Sequence, residues 1–238
     1  MSDARSHIKT LIIVPARSGS KGVIDKNIKL LGGKPLLQWT CEAIHNAKLD
    51  ATFSLLSTDH PQYAELGKQL GLEIPFLRPK EYATDQTPAM RVIQHALAWF
   101  EATHAYLPQN TIWLQPTSPF RGSKCLRQAL DMTQTPSVNA VVGCYAIHRN
   151  LTTLFRDQDG FLQPLDSESP IQTSRQQNAP LLTPNGALYL CKTSELLARQ
   201  SLYPPKTQPL VMDAIQSLDI DTEEDWAIAE AFIQQGLL

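Results

Sequence analysis

Short apolar runs alternate with longer segments of helical periodicity along nearly the whole chain, and this alternation restricts the fold more than any other feature. "LIIVP" (11–15), "TFSLLST" (52–58), "TIWLQ" (111–115), "NAVVGCYAI" (139–147), "GALYLC" (186–191) and "SLDID" (217–221) read as strands. "EIPFLR" (73–78) reads as a short extended piece. Apolar residues at helical spacing mark 35–47, 61–71, 87–104, 123–133, a segment around 194–199 and a last one at 223–235. Pro88 suits a first helical turn, and Gly71 suits a helix stop. Strand and helix alternating at this spacing predict parallel strands joined by crossover helices, hence an α/β fold. At 238 residues the simplest organisation is one domain, 1–238.

Composition removes several classes of function. A formal net charge of −2 leaves no broad basic surface for nucleic acid. No apolar run approaches the roughly 20 residues of a membrane-spanning helix, and "MSDARSHIKT" lacks the apolar segment of a secretory signal. The four cysteines form no CxxC pair, so they read as small buried residues in a reducing cytoplasm. One stretch breaks the rhythm: 148–184 is polar, rich in Gln, Asp, Ser and Pro, and without a long periodic element. Such a length of irregular chain is either a mobile surface excursion or a segment that serves a site or a partner.

The first strand runs into "ARSGSKGVIDKN" (16–27). In open α/β sheets ligands bind beyond the carboxyl ends of the strands, where this loop falls. Ser18, Gly19, Ser20 and Gly22 let main-chain N–H groups approach an oxyanion, Arg17 offers a forked guanidinium, and Lys21 and Lys26 offer point charges. Neither GxxxxGK[ST] nor GxGxxG is present, so the loop reads as a phosphate site of another kind or as a solvated turn. Near the C-terminus, Asp219 and Asp221 stand two apart at the end of the expected strand, hence on one face of the sheet. They read either as a pair sharing a hard cation or as part of a helix N-terminus. In the second reading Asp221 or Thr222 caps, and Glu223, Glu224 and Asp225 favour the dipole.

The opening loop resembles the nucleotide-binding signature of the CMP-sialic acid synthetases (N-acylneuraminate cytidylyltransferases), a family with members acting on other nonulosonic acids such as legionaminic acid. Ala16, Arg17, Ser20, Lys21, Gly22, Val23, Lys26 and Asn27 fill its fixed positions. The likeness continues in "LLGGKPLLQWT", "STD", "FLRPKEYATD", "LQPTSPFR", "SRQQ", "PNGALYL" and "DIDTEED", in family order. It implies a three-layer α/β nucleotidyltransferase, Rossmann-like, with a mainly parallel sheet and a dimerisation excursion at 148–184. It also implies a cytoplasmic homodimer that joins CTP to an acidic nine-carbon sugar, giving a CMP-sugar and pyrophosphate, with Mg²⁺ or Mn²⁺ on Asp219 and Asp221.

By the same resemblance Arg17, Ser20, Lys21, Lys26, Asn27 and Arg78 hold the nucleotide. Gln115, Asn185 and Tyr189 meet the sugar, and Arg175 reaches its carboxylate across the dimer. Arg17, Lys21 and Gln115 are the expected catalytic side chains; Asp59 is a turn residue or near the site. Two departures are visible. Thr152 and Thr183 stand where relatives carry basic residues, which bears on the choice of sugar. Within the same chemistry the alternative is a cytidylyltransferase for the eight-carbon acid 3-deoxy-manno-octulosonate. Outside it, the alternative is a nucleotide-sugar sensor, which would not need both aspartates.

Overall fold

The computed structural model describes residues 7–149, 151–165 and 181–237. β1 (Thr10–Pro15) is buried on both faces, as an apolar run bounded by proline predicts for a central strand. Then come β2 (Leu30–Leu31) and β3 (Lys34–Pro35), a tight hairpin turning on Gly32 and Gly33, both at positive φ. α1 (Leu36–Ala47), β4 (Thr52–Ser57), α2 (Pro61–Gln69), α3 (Ala89–His104), β5 (Asn110–Trp113), α4 (Gly122–Thr133) and β6 (Ala140–Ile147) follow. The excursion carries a 3₁₀ turn at Leu151–Thr153 and then β7 (Phe155–Gln158) and β8 (Phe161–Pro164), paired as an antiparallel hairpin. β9 (Leu181–Lys192), α5 (Thr193–Arg199), β10 (Thr207–Met212) and α6 (Glu223–Gln234) complete the order.

The main sheet runs β10-β6-β9-β5-β1-β4. β1 pairs in parallel with β4 and β5, and β10 with β6, while β9 is antiparallel to both its neighbours. Five strands therefore share a direction and β9 alone is reversed, which makes the sheet mainly parallel as expected. Alternate residues of β1 serve opposite layers. Ile12 and Val14 join Leu37, Cys41, Tyr63 and Leu126 on the face covered by α1, α2 and α4. Leu11 and Ile13 join Val92, Leu97, Phe100 and Leu196 on the face covered by α3 and α5. A third cluster fastens the opening loop, through Val23, to β2, α1 and α6 by way of Leu31, Leu36, Ile220 and Trp226. All four cysteines are buried and unbridged.

Three expectations are corrected. Residues 217–221 form no strand: the Ile220 amide donates to the Thr117 carbonyl at 2.8 Å, tying the segment to a loop instead of a ladder. The sixth strand is β10, whose Pro209 argues against a central strand but is tolerated at the sheet edge, where β10 lies. β9 also begins at Leu181 rather than Gly186, so 181–184 belongs to the sheet and not to the excursion. Arg175 lies outside the described residues.

Candidate active site

Two cavities open at the carboxyl end of β1, β4 and β5. The first, of about 490 Å³, is lined by Arg17, Ser20, Lys21, Gly22, Lys26, Asn27, Arg78, Gln115, Tyr189 and Asp221, with an apolar wall from Val92, Trp113, Leu202 and Tyr203. The second, of about 600 Å³, is lined by Gln115, Thr183, Asn185, Tyr189 and Asp219. Gln115 and Tyr189 border both. Nearly every expected site residue thus converges here from five separate stretches of chain. Register explains the junction: Tyr189 on reversed β9 pairs with Trp113 at the end of β5, two residues before Gln115.

The loop after β1 is held by Asp59, two residues beyond the end of β4. Its carboxylate accepts from the Ser18 amide at 2.8 Å and the Ser18 hydroxyl at 2.7 Å. Burial works against ionisation of Asp59, but these two donors hold its carboxyl below the usual carboxylate range. Asp59 therefore shapes the phosphate-type loop, a role that "STD" alone did not reveal. Arg17 folds over the loop onto the Ser18 and Gly19 carbonyls, at 3.3 and 3.2 Å, and pairs with Asp85, as does Lys21.

Arg78 is placed differently. Only 6% exposed, it donates to Ser57 through its Nε and its terminal nitrogen, so the cation is aimed without depending on an acid. Burial lowers it to about 10, still charged at neutral pH. Asn27 is buried, its side-chain nitrogen on the Arg17 carbonyl and its oxygen without a partner. That oxygen belongs to a residue lining the first cavity, where a ligand donor would satisfy it.

The two aspartates flank buried Ile220 on the extended segment before α6. Asp221 lines the first cavity and Asp219 the second. Lys26 Nζ lies 2.7 Å from both the Asp221 carboxylate and the Ile220 carbonyl. Asp219 Oδ1 is buried with no hydrogen bond. Burial raises the Asp219 carboxyl and nearby Asp221 adds to this; the Thr117 hydroxyl offsets part of it without reaching ordinary hydrogen-bond geometry. An orphaned buried carboxylate oxygen beside a second acid suits a hard cation. Among the described residues no group of three or more His, Cys, Asp or Glu could hold a metal, so other ligands would come from substrate oxygens and water. The helix-cap reading falls to the neighbours: Thr222 and Asp225 form the capping box, with Glu223 and Glu224 in the first turn.

Two glycines let these parts meet. A Cβ on Gly22 would stand 1.9 Å from the Asp221 carbonyl oxygen, so only glycine lets the loop lie against the acid segment. Gly186, at φ +76°, would drive a Cβ to 2.8 Å from Asp219 Oδ2. Asn185 borders the second cavity, yet its amide is spent internally on Ser217, Met212 and the Ala187 N–H. Arg121, absent from the sequence-level site, is fully buried beneath it. It donates to the Gln115 and Ala187 carbonyls at 2.8 Å each, and to Thr40. It joins β9 to the loop after β5.

A sheet of this order, with a cation-lined loop at its strand ends and a nearby acid pair, defines a nucleotidyltransferase of the α/β class. Solved structures agree on the fold. One titled as CMP:2-keto-3-deoxy-manno-octonic acid synthetase complexed with CTP superposes with a TM-score of 0.66 at 16% identity, over 96% of this chain and 99% of that one. A 4-diphosphocytidyl-2C-methyl-D-erythritol synthase from Anaerococcus prevotii gives 0.62 at 14% identity, over 94% and 98%. The chain belongs to the cytidylyltransferase family, whose model matches residues 11–236. It is 29% identical to the CMP-N,N'-diacetyllegionaminic acid synthase of Legionella pneumophila, over 95% of this chain and 97% of that one. It is 31% identical to an N-acylneuraminate cytidylyltransferase of Streptococcus agalactiae, over 92% of this chain but only 52% of that protein. The chain thus spans about half the length of the streptococcal relative.

Proposed function

We propose that this chain is a synthetase that joins CTP to a nine-carbon 2-keto acid sugar of the sialic or legionaminic type, giving the CMP-sugar and pyrophosphate. One observation carries the reading. A cation-lined cavity and a second, less basic one meet at Gln115 and Tyr189, with one aspartate of the acid pair in each. That is what the joining of two separate substrates requires. The names of the Legionella and streptococcal relatives support the choice of nucleotide and sugar class.

In this mechanism the anomeric hydroxyl of the sugar attacks the α-phosphorus of CTP and pyrophosphate leaves. Little covalent work falls to the protein, so positioning and charge neutralisation dominate. Arg17, Lys21, Lys26 and the Ser20–Gly22 amides grip the phosphates, with Arg78 as a fixed buried cation. Asn27 accepts a donor from the nucleoside. Gln115 and Tyr189 hold the sugar at the junction. Asp219 and Asp221 would hold Mg²⁺, or Mn²⁺ in its place, which when bound neutralises developing phosphate charge. Thr183, in the second cavity, bears on which nonulosonic acid fits.

The β7–β8 hairpin supports a homodimer. Phe161 and Leu162 on it are 78% and 75% exposed, an apolar tip suited to a neighbouring chain. Arg175 would then enter the partner's sugar cavity. Mixing Arg175→Ala chains with Lys21→Ala chains is expected to restore part of the lost activity; an active monomer by sedimentation would refute the shared site. Buried free cysteines support a reducing cytoplasm, and among the described residues no helix is long and apolar enough to cross a membrane.

The direct test is pyrophosphate release from CTP across a panel of nine-carbon sugar acids, with the eight-carbon octulosonate as the competing reading. Lys21→Ala is expected to cost about ten- to a hundredfold, since a charge-assisted contact contributes roughly 1.5–3 kcal/mol. A folded variant with full release would remove the loop from the mechanism.

A further inference from the structure

Asp85 lies on the loop between the 3₁₀ turn Lys80–Tyr82 and α3, at the wall of the first cavity. Its carboxylate divides two cations: Oδ1 takes the Arg17 guanidinium, and Oδ2 lies 2.6 Å from Lys21 Nζ. These are the two cations assigned above to phosphate. An arginine on one oxygen and a lysine on the other is how such a pair would grip two oxygens of a phosphate. The neighbouring acids are placed otherwise, Asp59 on Ser18 and Asp221 on Lys26.

An acid in this position either holds the cations ready or competes with the incoming anion. Burial distinguishes the two. Arg78 is held ready by Ser57 inside the protein. Lys21, by contrast, has a side chain 82% exposed, and that of Asp85 is 40% exposed. Packing holds Lys21 little, so it is free to follow another anion. A phosphate arriving at Arg17 and Lys21 also meets a carboxylate of like charge at the same spot, and the two repel.

We propose that Asp85 is an internal stand-in for phosphate. It exchanges with the polyphosphate of the nucleotide at Arg17 and Lys21, then returns to that pair to help expel pyrophosphate. The inference rests on reading the opening loop as a phosphate site. Asp85 holds down the affinity for substrate and product alike, which matters where product release limits turnover.

The test is calorimetric titration of inorganic pyrophosphate into the full-length protein at low ionic strength, with and without Mg²⁺. Wild type is compared with Asp85→Asn, Asp85→Ser and Asp85→Glu. The neutral variants are expected to bind pyrophosphate about three- to tenfold more tightly, the effect of losing one or two exposed charge pairs. Glu, which keeps the charge, produces no such gain. In turnover assays the neutral variants show a lower KM for CTP, stronger inhibition by pyrophosphate and a lower kcat. Neutral variants that bind pyrophosphate as wild type does, or more weakly, overturn the inference while leaving the phosphate site standing. A wild-type protein that binds no pyrophosphate in either condition overturns both.

Discussion

Asp219→Asn and Asp221→Asn are each expected to lower turnover by about a hundred- to a thousandfold at ordinary Mg²⁺, the scale of losing a principal electrostatic stabiliser. Two observations set this expectation. Asp219 Oδ1 is buried without a partner, a cost that a bound cation would offset. Burial raises the Asp219 carboxyl, and the charge of Asp221 in the adjoining cavity adds to this. The stability effects should differ between the two. Asn at 219 relieves a buried, repelled carboxylate, so metal-free stability stays level or rises. Asn at 221 breaks the pair with Lys26, so stability falls by up to about 1 kcal/mol. EDTA is expected to abolish wild-type activity, with Mg²⁺ or Mn²⁺ restoring it. Full turnover in EDTA, or two near-wild-type asparagine variants, would return the pair to a purely structural role.

Arg121→Met is expected to destabilise the protein by about 2–4 kcal/mol and to lower kcat with it. Methionine replaces the buried stem but donates nothing. The Gln115 and Ala187 carbonyls each lose a charged donor at 2.8 Å, and an unsatisfied buried acceptor costs roughly 1–3 kcal/mol. Removing a buried guanidinium that hydrogen-bonds no carboxylate returns part of that cost, which keeps the total moderate. Urea unfolding reads the first effect, and the rate at saturating CTP reads the second. An unchanged midpoint would show that the two carbonyls find other donors. A stable variant with normal kcat would remove Arg121 from the positioning of Gln115.

Much of the site was legible because its chemistry sits on short, local signals. The apolar β1 run, its terminating proline and the basic glycine-serine loop mark a cation-lined loop at a strand end without reference to distant residues. The cap at α6 was equally local, since Thr222 and Asp225 complete their capping box within one turn. Residues that act through distant partners stayed hidden. Asp59, Asp85 and Arg121 look like ordinary turn or surface residues until the chain brings Ser18, Arg17 with Lys21, and the Gln115 carbonyl to them.

Periodicity and breakers, which act within a few residues of chain, were enough to read the six helices and five of the six main-sheet strands, all but β10. The sequence also placed the loop, the acid pair and the order of the elements. Where each strand enters the sheet depends on contacts between distant parts of the chain. β9 inserts, reversed, between β5 and β6, and this brings Tyr189 to the end of β5 beside Gln115. No local pattern encodes that, since a half-buried strand reads alike in either direction. "LDID" shows the same limit from the other side. It carries strand-like alternation, yet its amide is taken by the Thr117 carbonyl, and Pro209 survives in a strand only because β10 lies at the edge. Which partner a backbone N–H finds is settled by what the rest of the chain places opposite it.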